Sequence, residues 1–189
     1  MNIRNQIDHV KPYNDQETKD KEMILNYLDR YEDLLVRDNE TAHFTSSGFV
    51  LNEAHDKVLM VYHNIYNSWS WTGGHVDGNP NFLEVAIQEV KEETGVQRVR
   101  PIVSEIFTLD ILPVIGHVKR GEYVSSHLHI NVTYLLEVSE REVLSINESE
   151  NSNVGWMPLD TFLEEVNEAH MKPVYLKIIH KAKALKLIK

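Results

Sequence analysis

Apolar residues recur at helical spacing in several stretches of the chain. Between about Phe82 and Thr94, Leu83, Ala86, Ile87 and Val90 mark one stripe of a helix. Asn81, with Glu84 three positions on, reads as its capping pair, and Gly95 as the left-handed residue that stops it. From about Asp15 to Val36, the residues Met23, Ile24, Tyr27, Leu28, Tyr31, Leu34 and Leu35 predict another helix, opened by Asn14 and Glu17. Ahead of it, Pro12 suggests an extended lead-in. Residues 159–170 and 173–187 predict two further helices. Pro173 suits the first turn of the last, and Ile178, Ile179, Ala182 and Leu185 form its inner face. Lys177, Lys181, Lys183 and Lys186 are expected to make a solvated basic face.

Elsewhere the period shortens to two. Thr41 to Leu51 and Lys57 to His63 predict strands joined by a polar turn, and residues 99–112 are rich in β-formers. From Tyr123 to Val138 the alternation puts Leu128, Ile130, Val132 and Tyr134 on one face and His127, His129, Asn131 and Thr133 on the other. The last two segments suit an antiparallel pair. Strands on both sides of one long helix indicate an α/β architecture.

Composition narrows this further. A chain of 189 residues suits one domain with a small extension. The net charge of −10 argues against bulk attraction to nucleic acid or an anionic membrane, but not against a small anionic substrate held through a metal. With no cysteine there is no disulfide, zinc thiolate or thiol nucleophile. No apolar run approaches a membrane span and the N-terminus lacks a signal-peptide core, so a cytoplasmic protein is expected.

The chemistry concentrates at the end of the 82–94 helix. Glu89, Glu92 and Glu93 stand at i, i+3 and i+4, where like charges repel by roughly 0.2–0.5 kcal/mol per pair. They also crowd the helix end that disfavours anions. A hard cation, Mg²⁺ or Mn²⁺, would relieve both penalties. The plainer reading is a solvated acidic face partly balanced by Lys91. Just upstream, Gly73, Gly74 and Gly78 form a loop able to turn sharply or approach a ligand closely.

Glycine pair, turn, helix and Glu-x-x-Glu-Glu-x-Gly together resemble the Nudix hydrolase family. Its box reads Gly-x5-Glu-x7-Arg-Glu-hydrophobic-x-Glu-Glu-x-Gly-hydrophobic, and Gly74 to Val96 matches it in register. Two positions depart: Pro80 replaces the first Glu, and Gln88 the Arg. The resemblance implies an α/β/α sandwich with a mixed sheet over residues 41–189, preceded by an N-terminal helical extension over residues 1–40. It implies that Glu89, Glu92, Glu93 and the Gly73 carbonyl hold Mg²⁺ or Mn²⁺, with the glutamates catalytic. The expected reaction is hydrolysis of a diphosphate bond in a nucleoside diphosphate linked to another moiety. The expected partner is that small molecule, with no nucleic acid and no membrane. The apolar face of the N-terminal helix packs on its own domain in the favoured reading, a homodimer partner or part of a substrate pocket being the alternatives.

Further residues are weighed against plainer roles. Trp69 and Trp71 precede the glycines; Trp69 could stack a base, but a core tryptophan beneath the loop is the commoner arrangement. His127 and His129 could ligate a metal, yet a histidine site wants a third ligand that the sequence does not place, so they are assigned to the substrate cleft. His75 receives no catalytic role. Lys119 and Arg120, near His117, form a positive spot that could meet phosphate, against the plainer reading of a solvated loop. Glu150 precedes a Trp-Met-Pro segment that resembles the late family region able to supply another acid; an acidic surface loop is the alternative. The departures at Pro80 and Gln88 leave a second function open, a nucleotide-sensing module with little or no turnover. A diphosphate isomerase of the isoprenoid kind shares the fold, but the best-known such enzymes use a cysteine that this chain lacks.

Overall fold

The computed structural model describes residues 2–119 and 121–188. In chain order the elements are α1 (Ile3–His9), α2 (Asp15–Leu28), β1 (Ala42–Leu51), β2 (Lys57–His63), β3 (Ser68–Ser70), β4 (Thr72–His75), α3 (Phe82–Thr94), β5 (Arg100–Pro101), β6 (Thr108–Val114), β7 (His117–Lys119), β8 (Glu122–Val124), β9 (His127–Glu137), β10 (Asn151–Pro158) and α4 (Lys172–Ala184). A single 3₁₀ turn spans Phe162–Glu164.

β1 is the spine of a mixed sheet. It runs parallel to β9 along its whole length, from Ala42 beside Leu128 to Leu51 beside Glu137. It is antiparallel to β4 over Thr45–Gly48 and to β2 at Val50 and Leu51. The path through the sheet is β10-β2-β1-β9-β5, with β3 on β2, β4 on β1 and β6 on β9; β7 and β8 form a separate hairpin.

The pleat of β1 sorts two cores. Its even-numbered residues face α3: Ser46 Oγ donates to the Phe82 carbonyl at 2.7 Å, and a Cβ on Gly48 would strike Val90. Phe44, Val50, Val132 and Leu136 join Phe82, Ala86 and Val90 there, together with Ile7 of α1 and Ile24 of α2. On the other face Phe49 and Leu51 pack with Met60, Trp71 and Leu135 against Phe162, Tyr175 and Ile178. Tyr175 and Phe162 are fully buried, and each such side chain contributes about 1.5–3 kcal/mol. The result is the expected α/β/α sandwich. No helix of the described residues is long and apolar enough to cross a membrane.

The local signals of α3 hold in detail. Asn81 Oδ1 accepts from Glu84 N, and Gly95 ends the helix at φ 78°. The reciprocal half of the cap is absent, since the Glu84 carboxylate meets Asn79 instead. The alternation of β9 also holds, with Ile130, Val132 and Tyr134 in the α3-side core and β6 paired antiparallel to it.

Other expectations need correction. The helix predicted to Val36 stops at Leu28: Arg30 N and Tyr31 N both turn to the Tyr27 carbonyl, and beyond them the carbonyls of Leu34 and Leu35 accept from Phe44 N (2.7 Å) and Gly78 N (2.8 Å). The lead-in contains a helix, α1, capped by Asn2 through Asn5 N and anchored by buried Ile7. Residues 159–170 form only the short 3₁₀ turn, since Asn167 N donates to Ser68 Oγ and ties the chain to β3.

Two of the four lysines of α4 are not solvated. Lys177 pairs with Asp110 at 2.7 Å, both side chains 2% exposed, and also donates to the Leu109 carbonyl and Gln16. Lys181 reaches buried Glu17 at 3.2 Å. Glu17 is itself the expected capping residue of α2, diverted: its carboxylate accepts from Tyr13 N and Leu109 N. Asp20 accepts from Ile111 N. Thus α2 satisfies outward N–H groups of the edge strand β6, which would otherwise invite another strand.

Candidate active site and a histidine cluster

α3 lies against β4 and β1, so its C-terminal acids meet the glycine pair. A Cβ on Gly74 would stand 2.3 Å from Glu89 Oε1 and 2.7 Å from Oε2. Only a residue without a side chain admits the carboxylate there. One turn further, Glu93 Oε1 accepts from Gly73 N at 2.8 Å and Oε2 from Asn151 Nδ2 at 3.0 Å. Glu92 turns outward, exposed, and accepts from Gln88 Nε2 at 2.6 Å. The helix thus sends two acids inward and one to solvent.

Glu150, just ahead of β10, faces the pair electrostatically: its charge acts on both Glu89 and Glu93. Burial pushes Glu89 up to about 7, and the charges of Glu92, Glu150 and Asp77 push the same way; Arg37 opposes them. Burial pushes Glu93 up to about 8 despite its two hydrogen bonds. Arg37 is held across Asp77, donating through Nε at 2.8 Å and Nη2 at 2.5 Å. Beside Glu93, the buried Asn151 Oδ1 has no hydrogen-bond partner. This is a set of hard oxygen donors short of positive charge, and it fits a divalent cation such as Mg²⁺ or Mn²⁺.

The strand histidines belong to a different assembly. Among the described residues, the one group of at least three histidine, aspartate or glutamate side chains whose ligand atoms all lie within 4.8 Å of one another is His43, His75, His127 and His129. The sequence supplied two of these as a pair; the register supplies the others. His43 lies beside His129 on β1 and β9, and His75 lies opposite Thr45 on β4, so all four share one face.

Trp69 is half-buried on β3, edge-on to Tyr62 at 5.6 Å, and borders a cavity of about 450 Å³ with Trp156, Met157 and Phe162. Lys119 ends β7, and Arg120 lies outside the described residues. A larger cavity, about 860 Å³, opens between α1, residues 103–107 and α4; none of Glu89, Glu92, Glu93 or Glu150 lines it.

Sequence reasoning did not single out Arg37, Asp77, Asn151 or His43. Asn151 follows Glu150 directly, the one signal that pointed to its neighbourhood. Arg37 sits in a stretch expected to follow a helix, and nothing local marks it.

The family model described as the NUDIX domain matches residues 41–178. An asymmetrical bis(5'-nucleosyl)-tetraphosphatase from Rattus norvegicus is 29% identical over 129 residues, covering 68% of this chain and 76% of the relative. A protein from Lactococcus lactis named a probable DHNTP pyrophosphohydrolase is 28% identical over 137 residues, covering 72% and 78%. Among solved structures, an Ap4A hydrolase binary complex from C. elegans superposes with a TM-score of 0.52 at 15% identity, covering 75% of this chain and 98% of that one. That last likeness concerns the fold alone.

Proposed function

The chain belongs to the Nudix family and is a pyrophosphohydrolase of that type, and from this premise we propose that it uses Mg²⁺ or Mn²⁺ to hydrolyse the diphosphate bond of a nucleoside diphosphate linked to another moiety. The observation that carries the reading is the placement of Glu89 against Gly74 beside buried Glu93, with Glu150 facing both. The relative named for a bis(5'-nucleosyl)-tetraphosphate supports the substrate class.

In this reading Glu89, Glu92, Glu93 and the Gly73 carbonyl hold the ion, with Glu150 as an additional acid. When bound, the ion neutralises charge on the diphosphate and on the leaving oxygen. The chain's own groups do the positioning. Gly73 N–H and Asn151 hold the Glu93 carboxylate in one orientation from two sides. Gln88 holds Glu92 without bringing a charge. Arg37 supplies the positive field that Gln88 does not. One glutamate of this set, or Glu150, takes a proton from the attacking water and keeps it on a carboxylate oxygen. Because Glu89 and Glu93 sense each other, the titration belongs to the set rather than to one residue.

The test is turnover of a panel of ADP-sugars, dinucleotides, dNTPs and coenzyme-type diphosphates with Mg²⁺ and Mn²⁺, followed by product identification. Glu89→Gln should lower kcat by about 10²–10⁴ while the protein stays folded. Nucleotide binding with no turnover of any panel member would favour the sensing module and overturn the hydrolytic reading.

A further inference from the structure

We propose that His43, His75, His127 and His129 form a second metal site, one that binds a single divalent transition-metal ion of the zinc class through four imidazole nitrogens. This inference does not rest on the hydrolytic reading, because it uses none of the box glutamates.

The four ligand nitrogens lie within 4.8 Å of one another, and one pair already has the spacing of a shared ion. At Zn–N distances of about 2.0–2.1 Å, two nitrogens on a tetrahedral centre stand ~3.3 Å apart. His127 Nε2 and His129 Nε2 are 3.2 Å apart. Imidazoles radiating from one such centre place their ring centroids about 5 Å from each other. His43 lies 5.0 Å from His75, 4.9 Å from His127 and 5.2 Å from His129, while His129 lies 4.9 Å from His75 and 5.0 Å from His127. The rings are tilted or edge-on to one another rather than stacked flat, as rings converging on a point must be.

The tautomers are set for ligation at two of the four. His43 Nδ1 lies 2.9 Å from the Asn39 carbonyl, and His127 Nδ1 lies 2.8 Å from the Ser125 carbonyl. A carbonyl only accepts, so each Nδ1 carries the proton and donates it, which leaves Nε2 with its lone pair. The Nε2 of His43 is buried with no hydrogen-bond partner, in a residue only 4% exposed. Burying an unpaired acceptor is costly, and a metal bond would satisfy it.

The choice of ion follows from the donors. Imidazole nitrogens suit zinc, copper, nickel and iron, whereas magnesium and calcium take oxygen. With four protein ligands the site is closed, which is the pattern of a structural centre. Such an ion would clip together the leading ends of β1 and β9 and the trailing end of β4, the strand that carries Gly73 and Gly74.

The decisive experiment is metal binding to the full chain after chelator treatment and desalting, with Zn²⁺ and then Co²⁺ as probes. One equivalent should be retained, and the Co²⁺ form should show the intense visible bands of four-coordinate cobalt. His127→Ala/His129→Ala should lose that equivalent and those bands. A folded Glu89→Gln/Glu92→Gln variant should keep them. Failure of the native chain to retain an equivalent overturns the proposal, as does retention by the double histidine variant or loss in the double glutamate variant. A native far-UV spectrum for the histidine variant separates ligand loss from misfolding. Should it misfold, His127→Gln alone must still shift the Co²⁺ spectrum, and an unchanged spectrum overturns the site.

Discussion

Gly74→Ala is the sharpest perturbation of the box, because the structure separates its effect on the fold from its effect on the site. A Cβ there would stand 2.3 Å from Glu89 Oε1 and 2.5 Å from Cδ. The carboxylate must therefore retreat by about 1 Å to reach ordinary contact. The clash is with the far end of a flexible side chain, so the backbone need not move. Gly74 does not adopt a positive φ, and alanine fits its strand. Loss of glycine's freedom in the unfolded chain favours the variant by about 0.4–1 kcal/mol, and an off-rotamer Glu89 costs about 0.5–1.5 kcal/mol. Stability should hence stay within about 1 kcal/mol, a melting shift of roughly 2–4 °C. Activity should not survive so well, since a 1 Å misplacement of a reacting group can cost about 100-fold. The assay is kcat against Mg²⁺ concentration, with thermal melts alongside. Gly155→Ala serves as control, because a Cβ there meets nothing within 4 Å. Wild-type kcat and unchanged Mg²⁺ dependence in Gly74→Ala would refute the claim that the Glu89–Gly74 approach positions the acid.

Three further outcomes follow from the same geometry. Gln88→Arg should give Glu92 a charge-assisted partner in place of the neutral one, so half-maximal activity should come at lower Mg²⁺; superimposable titrations would show that Arg37 already compensates. Lys177→Met should destabilise the protein by about 3–5 kcal/mol by leaving the Asp110 charge buried and unpaired; Lys177→Met/Asp110→Leu should regain most of this in urea melts, and equal loss in both would point to packing rather than charge. The third concerns pH. Glu89 and Glu93 are raised above their ordinary value, to about 7 and about 8, so their protonated forms favour the fold. That contribution is complete below about 4.5 and is lost as pH rises through 7 and 8. Metal-free protein should melt at progressively lower temperature from about pH 5 to about pH 8 and level off above that, and Mg²⁺ should flatten the slope by taking the protons' place; a flat metal-free profile would count against the burial of these acids.

What was legible in the sequence was local. The stripe, cap and stop of α3 all lie within Asn81–Gly95, and the alternation of β9 within its own residues, so each could be read in place. What was illegible depended on which faces meet. Lys177 and Lys181 have the spacing of a solvated face, and nothing nearby announces that Asp110 and Glu17 wait beneath it, 67 and 164 positions away. The end of α2 was hidden for a similar reason: Leu34 and Leu35 continue the helical period, but their segment docks through its carbonyls on Phe44 and Gly78, which lie outside it in sequence.

The histidines make the point most directly. His127 and His129 were visible as a pair because alternation alone puts them on one face. His43 and His75 each looked solitary, and a third ligand was missing only in one dimension. It arrives through two registers at once, β1 parallel to β9 and β4 antiparallel to β1. A one-residue slip in either pairing would turn its histidine to the opposite face. The same β1–β4 register seats Gly73 and Gly74 opposite Ser47 and Ser46 and under the acids of α3. An ion on the histidines would therefore pin the register on which the glutamate site depends. Removing it should loosen Glu89 and Glu93 without touching either residue.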